Sequence, residues 1–272
     1  SIKEDSWTQF WDWMTFGHFF DEKITVTVTA DGTGSDVAKV EYLLSGETLA
    51  EENMPTEGWN TLAANNGKYS FSIEPKNKAA VYVRITDEGG NVAILNSDGI
   101  VVYADSVIAQ PVIEYVYKEN QNRVLTINTN GNGFAKLTDS TGEEIDSQYY
   151  TEEDGVLTLK AEYLDTLNKG EYTYKVFMNP MGVETQAVTL EYSFTIKVAA
   201  KTLTVTSVVA TNRPFDGTNT VAITDVVLDG KADGDNVSID VGNLKGTLSG
   251  MNADTYTAVT LPVLTLTGSQ AG

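Results

Sequence analysis

Apolar and aromatic residues at helical spacing open the sequence. The positions i, i+3, i+4 and i+7 of one helix face are occupied by Trp7, Phe10, Trp11 and Met14. Ser6 and Gln9 fit a capping box at the start of such a helix, and Gly17 is a typical residue at its end. We therefore predict a short amphipathic, aromatic helix within residues 1–20.

From Lys23 onward, the apolar period shortens from 3.6 residues to 2. Ile24, Val26 and Val28 alternate with threonines, which is the pattern of a half-buried strand. Further strand candidates are residues 37–44, 68–73, 80–86, 92–95, 124–128, 135–138, 156–159, 171–178, 188–198, 202–209, 220–228, 236–241 and 261–267. A single short helix is predicted between them, at residues 160–167. Short strands with frequent turns predict an all-β chain built from sandwiches.

A short sequence motif recurs along the chain, in which a tyrosine lies near the start of a late strand candidate. Tyr69, Tyr172 and Tyr256 are separated by about 100 and about 85 residues, close to the ~100 residues of an immunoglobulin-like sandwich. Such a tyrosine can cover the edge of the core while its hydroxyl bonds the backbone of the preceding connection. We predict three tandem immunoglobulin-like β-sandwich domains after the N-terminal helix. Their predicted boundaries are residues 21–104, 105–199 and 200–272.

The charge balance changes which partners are plausible. The chain has 38 acidic and 18 basic residues, a formal net charge of −20. So negative a surface repels phosphate backbones, which argues against nucleic-acid binding. The absence of cysteine excludes disulfides and thiolate-ligated metals. No apolar run approaches the roughly 20 residues of a membrane span, and we expect none within this sequence.

The first two thirds of the chain resemble bacterial immunoglobulin-like surface modules. In the first hundred residues the resemblance lies in the aromatic lead-in of residues 7–20, which runs into Ile24-Thr25-Val26-Thr27, and in the hairpin Asp87-Glu88-Gly89-Gly90-Asn91-Val92. The middle third is loosely similar to X2-type immunoglobulin-like modules, and the residues that carry this likeness are Gly155-Val156-Leu157-Thr158-Leu159, the following Glu162-Tyr163-Leu164, and Gly170. These resemblances imply a secreted or cell-surface location in a bacterium.

The last third resembles the YDG-type repeats of filamentous adhesins. The segments that carry the resemblance are Pro214-Phe215-Asp216-Gly217-Thr218, Leu228-Asp229-Gly230, Gly234-Asp235-Asn236-Val237 and Leu266-Thr267-Gly268. Phe215 stands where the family usually has tyrosine. Repeats of this family continue beyond the closing glycine, so we expect the last domain to be truncated. The resemblance implies a stalk or adhesin role, and it brings no catalytic residues.

Trp59 is the residue best suited to bind a ligand. It lies in the loop Glu57-Gly58-Trp59-Asn60, and the apolar faces of sugars pack on flat aromatic rings. The alternative for Trp59 is a place in the core or at its rim.

A calcium site is the metal hypothesis that the sequence allows. Asp229, Asp233 and Asp235, with Asn236 beside them, are oxygen ligands in a glycine-rich turn. The segment lacks the twelve-residue calcium loop with its closing glutamate, and side-chain bonds to a turn backbone explain the same residues. His18, the single histidine, makes a serine–histidine triad improbable. We predict no catalytic residue and no other cofactor.

Three functions stay open at this point. The leading hypothesis is a non-catalytic, extracellular module array of a bacterial surface protein, with a stalk or adhesin role and a surface glycan or protein as partner. The alternative is a carbohydrate-binding accessory region of a larger secreted glycan-active enzyme. The third is a small hydrolase, which the lack of any motif that singles out a carboxylate pair disfavours.

Overall fold

The computed structural model describes residues 16–30, 34–184 and 188–271. Within them, strands dominate, and the α-helical structure amounts to one turn. Among these residues, no helix is long and apolar enough to cross a membrane. The predicted all-β fold is confirmed.

The first part of the chain forms two sheets. Its strands are β1 (Phe16–Phe20), β2 (Ile24–Thr29), β3 (Val37–Ser45), β4 (Asn60–Leu62), β5 (Ala64–Asn65), β6 (Lys68–Ile73), β7 (Asn77–Asp87), β8 (Val92–Asn96) and β9 (Gly99–Val102), with a 3₁₀ turn at Glu51–Asn53. One sheet has the order β2-β6-β5. The other has the order β1-β9-β7-β3-β4, with β8 also paired to β7.

A single apolar core lies between these two sheets. Ile24, Val26 and Val28 of β2 point inward with Phe71 and Ile73 of β6. The larger sheet contributes buried side chains from β3, β7 and β9: Val40, Val81, Val83, Ile100 and Val102. Alternate residues of each strand therefore face the core, which is the arrangement of a β-sandwich.

The predicted N-terminal helix is wrong where the structure describes it. Residues 1–15 lie outside the described residues, but Phe16–Phe20 is a strand that pairs in parallel with β9. The Phe16 ring covers Gly99, where a Cβ atom would come within 2.4 Å of the ring. Pairing with a distant strand supplies backbone hydrogen bonds that the local aromatic spacing could not reveal.

The middle part of the chain also has two sheets of four strands. The strands are β10 (Val107–Ile108), β11 (Val112–Val116), β12 (Arg123–Asn128), β13 (Gly133–Thr138), β14 (Tyr150–Glu153), β15 (Val156–Leu159), β16 (Gly170–Asn179) and β17 (Leu190–Ala199). Their orders are β10-β12-β15-β14 and β11-β17-β16-β13. The helix α1 (Ala161–Leu164) confirms the predicted helical stretch in shorter form, and 3₁₀ turns occupy Ser147–Tyr149 and Pro180–Gly182.

Burial in the middle part follows the predicted alternation. Phe194, Ile196 and Val198 of β17 are buried on one face. Tyr174 of β16 stacks on Phe194, with ring centroids 5.4 Å apart. The β17 pattern was the clearest in the sequence because six apolar positions recur there at period 2.

The last part of the chain has shorter strands and a smaller core. The strands are β18 (Thr204–Ala210), β19 (Thr220–Asp229), β20 (Ser238–Ile239), β21 (Lys245–Thr247) and β22 (Leu266–Thr267), in sheets β18-β19-β21 and β20-β22. Its buried apolar residues are Val221, Ile223, Ala232 and Val237. The Tyr256 hydroxyl donates to the carbonyl of Asn252 over 3.1 Å, as predicted for a tyrosine after a turn.

The described residues divide into two compact units. One comprises residues 16–30, 34–112, 124–158, 172–184 and 188–195, and the other comprises 113–123, 159–171 and 196–271. This division follows contacts rather than the tyrosine spacing, and the three domain boundaries drawn from the sequence stay a prediction.

Candidate ligand-binding sites

The face of the first sandwich that points away from the core carries a charged cluster. Because side chains alternate along β3, Val40 enters the core while Glu41 points to the opposite face. The register of β3 and β7 places Glu41 directly opposite Arg84. We call Lys39, Glu41, Arg84 and Trp59 the Trp59 cluster.

Glu41 is held by two cations although its side chain is only 5% exposed. Nε and Nη2 of Arg84 both lie 2.8 Å from its Oε2, and Nζ of Lys39 lies 2.6 Å from its Oε1. Burial by itself raises the pKa of this carboxyl, but the hydrogen bonds from Lys39 and Arg84 outweigh it and hold the pKa below the ordinary value. Glu41 is therefore an ionised anchor for Arg84.

Trp59 packs on the outer side of that anchor. The central carbon of the Arg84 guanidinium lies 4.3 Å from the centroid of the Trp59 ring, a cation–π contact. The indole Nε1 donates to the carbonyl of Pro55 over 2.8 Å. The half-buried ring is thus fixed in orientation before any ligand arrives. A fixed, partly exposed indole is a surface on which the apolar face of a sugar can stack.

The three aspartates of the calcium hypothesis have different surroundings. Asp229 ends β19 and is exposed, as is Asp233. The Asp235 side chain is only 8% exposed, and its Oδ1 accepts from Nζ of Lys118 over 2.8 Å and from the hydroxyl of Tyr117 over 3.3 Å. That hydrogen bond to Asp235 raises the pKa of Lys118.

The chain thus supplies a cation of its own to Asp235. In the three described ranges of the chain, no three acidic or histidine side chains are grouped so that they could hold a metal ion. Calcium binding by Asp229, Asp233 and Asp235 stays a prediction. His18 is exposed, with Nε2 3.8 Å from Oδ2 of Asp98.

The Phe215-Asp216-Gly217 segment forms a turn closed by side-chain bonds. Oδ1 of Asp216 accepts from the Thr218 backbone N over 2.9 Å and from its Oγ1 over 2.8 Å, and it pairs with Arg213. The backbone bond from Thr218 is the main reason that the pKa of Asp216 is lowered. Gly217 adopts a φ of +76°, which favours glycine. The motif is a structural turn, and it leaves the Phe215 ring exposed.

A comparison with protein-family models finds a match to the YDG domain at residues 199–272. The match covers the last 74 residues of the chain. The predicted resemblance of the last third of the chain to YDG-type repeats is confirmed. A comparison with curated proteins finds no match.

Similar solved structures contain immunoglobulin-like and fibronectin-like modules. A tri-modular endo-β-1,4-glucanase from Bacillus licheniformis, complexed with cellotetraose, is 17% identical at a TM-score of 0.32, covering 67% of this chain and 37% of that one. Tandem immunoglobulin domains of titin are 9% identical at a TM-score of 0.33, covering 68% and 92%. The fibronectin(III)-like modules of CbhA from Clostridium thermocellum are 12% identical at 0.23, covering 67% and 88%. The chain spans less than two fifths of the length of that endoglucanase. The fold of this chain is assigned from the sheets described above.

Sequence reasoning proposed Trp59 as a ligand residue but did not predict the residues that fix its orientation. Lys39 and Glu41 occupy the outward positions of β3, and this charged alternation is a signal that the sequence did carry. Arg84 could not be matched to Glu41 without the register of β3 and β7. Lys118 and Asp235 are separated by 117 residues, and no local pattern relates them.

Proposed function

We propose that this chain is a non-catalytic module array of a bacterial surface or secreted protein, with a stalk or adhesin role. The observation that carries the proposal is the match to the YDG domain at residues 199–272, because YDG-type repeats occur in filamentous adhesins. The sandwich at residues 16–102 is compatible with the same role, since its interior is filled by apolar side chains.

The charge of the chain supports a solvent-exposed role. A formal net charge of −20 keeps such modules soluble and discourages docking to anionic lipid head groups. Under this proposal, the partner is a host or bacterial surface glycan or protein.

A turnover assay separates this proposal from the small-hydrolase hypothesis. The purified chain is incubated with polysaccharide, peptide and ester substrates, and products are measured by chromatography. A non-catalytic array yields no product above the buffer control. A product that appears with the chain and disappears on its removal would contradict the proposal.

The second candidate function is a carbohydrate-binding accessory region of a larger glycan-active enzyme. The observation that favours it is the indole of Trp59, held by Arg84 and Pro55 in a fixed orientation. The Arg84 guanidinium lies over one face of this ring, so a sugar would stack on the opposite face.

A glycan array tests this second candidate. Glycan binding that is lost in Trp59→Ala and retained in Trp59→Phe would support it, because Phe keeps a ring on which sugar can stack. Phe215→Ala is the matched control, since Phe215 is an exposed aromatic residue elsewhere, 65% accessible. Equal binding by Trp59→Ala and the unmodified chain would exclude Trp59 as the ligand platform.

A further inference from the structure

A cleft in the second compact unit gathers basic side chains. It has a volume of about 560 Å³ and is lined by Tyr117, Lys169, Lys201, Lys231, Asp235 and Gln270, among others. All of these residues belong to the one unit that comprises residues 113–123, 159–171 and 196–271. Clefts of this size suit small ligands rather than extended protein partners. We call it the basic cleft.

Three lysines of the basic cleft have no counter-charge in the described residues. The ammonium groups of Lys169, Lys201 and Lys231 make no ion pair there, whereas those of Lys23, Lys39, Lys118, Lys175 and Lys197 do. Asp235 is the single carboxylate on the lining as described, and Lys118 already neutralises it at 2.8 Å. The walls therefore carry an excess of three positive charges.

This excess of positive charge in the basic cleft is opposite in sign to the net charge of the chain. Acidic residues outnumber basic ones by 38 to 18, so carboxylates for pairing are plentiful. Like charges that share a cleft repel one another, and low-dielectric walls focus their field onto whatever enters. An anionic ligand relieves that repulsion. Three cations that have no ion pair within the described part of the chain, around one cavity of a strongly acidic protein, therefore indicate an anion-binding site.

The other residues that line the basic cleft indicate which class of anion it can bind. Tyr117 supplies an aromatic ring, and Leu203, Val237 and Leu266 supply apolar wall. The side-chain oxygen of Gln270 accepts from the backbone of Asn236 over 2.9 Å and from the hydroxyl of Ser269 over 2.7 Å. Its amide nitrogen is thereby oriented as a donor. Ring, apolar wall, amide donor and ammonium groups together match a sugar that bears a carboxylate.

We propose that the basic cleft binds a short acidic saccharide, with Lys169, Lys201 and Lys231 meeting its carboxylates and Tyr117 packing on a sugar face. The proposal deepens the adhesin role, since it names the ligand class, and it rests on that role for the choice of a saccharide. A long polyanion is disfavoured because the remaining surface is acidic.

Calorimetric titration of the 272-residue chain with digalacturonate tests the proposal. The cleft variant is the triple substitution Lys169→Gln, Lys201→Gln and Lys231→Gln. The matched control is Lys68→Gln, Lys76→Gln and Lys245→Gln, which changes the net charge equally at exposed lysines outside the cleft. Methyl-esterified digalacturonate is the neutral ligand. Thermal unfolding of each variant checks that folding is retained.

Saturable binding of digalacturonate is expected, weaker at higher salt because the contacts are partly exposed. The cleft variant should bind at least about tenfold more weakly, while the control variant stays within about twofold. The methyl ester should bind as weakly as the acid does to the cleft variant. No saturable binding, equal losses in both triple variants, or equal affinity for the methyl ester would each overturn the proposal.

The outcome is separable from that of the proposed function. If the chain binds digalacturonate through the cleft but is found inside cells, the surface role fails and the anion site stands. If the chain is on the cell surface and digalacturonate does not bind, the cleft proposal alone fails.

Discussion

Arg84 and Glu41 stand opposite each other on β7 and β3, and Nε of Arg84 donates to Oε2 of Glu41 over 2.8 Å. The bond joins a nearly inaccessible carboxylate to a guanidinium that also supports the Trp59 ring. One ion pair therefore stabilises the outward face of the first sandwich and orients its best ligand candidate.

Arg84→Met should destabilise the first sandwich. Breaking a buried pair typically lowers the free energy of unfolding by about 3–5 kcal/mol. Because Lys39 remains as a partner of Glu41, we expect a loss of about 2–4 kcal/mol here. Urea unfolding followed by circular dichroism measures the change. Lys197→Met is the control, because its pair with Glu171 is exposed and such pairs contribute about 0–1 kcal/mol. Equal effects of the two substitutions would contradict the role assigned to Glu41.

Tyr115 should make the stability of the chain fall at alkaline pH. Burial, and then the hydrogen bond that its hydroxyl donates to Asp165, raise the pKa of Tyr115 from 10.0 to about 12. The folded state therefore keeps this proton between pH 10 and 12 while the unfolded state loses it. The stabilisation is complete below pH 10 and is lost as the pH rises to 12, by about 2–3 kcal/mol.

Tyr115→Phe isolates that effect. At pH 8, the variant should be about 1 kcal/mol less stable, since it lacks the bond to Asp165. Between pH 10 and 12, the unmodified chain loses about 2–3 kcal/mol and the variant loses none, because phenylalanine has no proton to lose, so the difference in unfolding free energy should shrink and then reverse, leaving the variant more stable by about 1–2 kcal/mol at pH 12. A constant difference across this pH range would show that Tyr115 has no such pKa.

Gly268 should be intolerant of any side chain. It has a φ of +110°, and a Cβ atom would lie 1.9 Å from the carbonyl oxygen of Asn236. Gly268→Ala should therefore lower the unfolding free energy of the YDG domain by about 3 kcal/mol or more. Gly217→Ala distinguishes backbone strain from a steric clash, because Gly217 has a φ of +76° but open space around it. The Gly217→Ala variant should therefore lose only about 1 kcal/mol of unfolding free energy. Differential scanning calorimetry compares the two, and similar losses would contradict the collision.

Calcium titration decides the metal hypothesis. Because Lys118 already pairs with Asp235, calcium would have to displace an ammonium group, and we expect no saturable heat from calcium chloride at millimolar concentration. Saturable binding that is lost in Asp235→Asn would instead establish the site predicted from Asp229, Asp233 and Asp235. Asp254→Asn serves as the control for a general loss of charge.

Local pattern was enough to locate strands that alternate clearly between apolar and polar residues. The alternation predicted β6 and β15 with their observed bounds, Lys68–Ile73 and Val156–Leu159. It failed at β9, where all four residues of Gly99–Val102 are buried and no alternation is visible. It also failed at Phe16–Phe20, whose strand depends on parallel pairing with β9.

The candidate sites depended more on distant pairing than the strands did. An exposed-loop position was enough to single out Trp59, but its orientation depends on Arg84, 25 positions further on. The basic cleft joins segments near residues 117, 169, 201 and 231. Each segment contains an ordinary lysine or tyrosine, so only the fold reveals that the charges converge.

The surface location is the claim on which the proposed role most depends. An antibody raised against the chain and applied to intact producing cells, and in parallel to permeabilised cells, measures that location by flow cytometry. We expect equal labelling of both preparations, and loss of the label from intact cells after brief external proteolysis. Labelling that appears only after permeabilisation would contradict it.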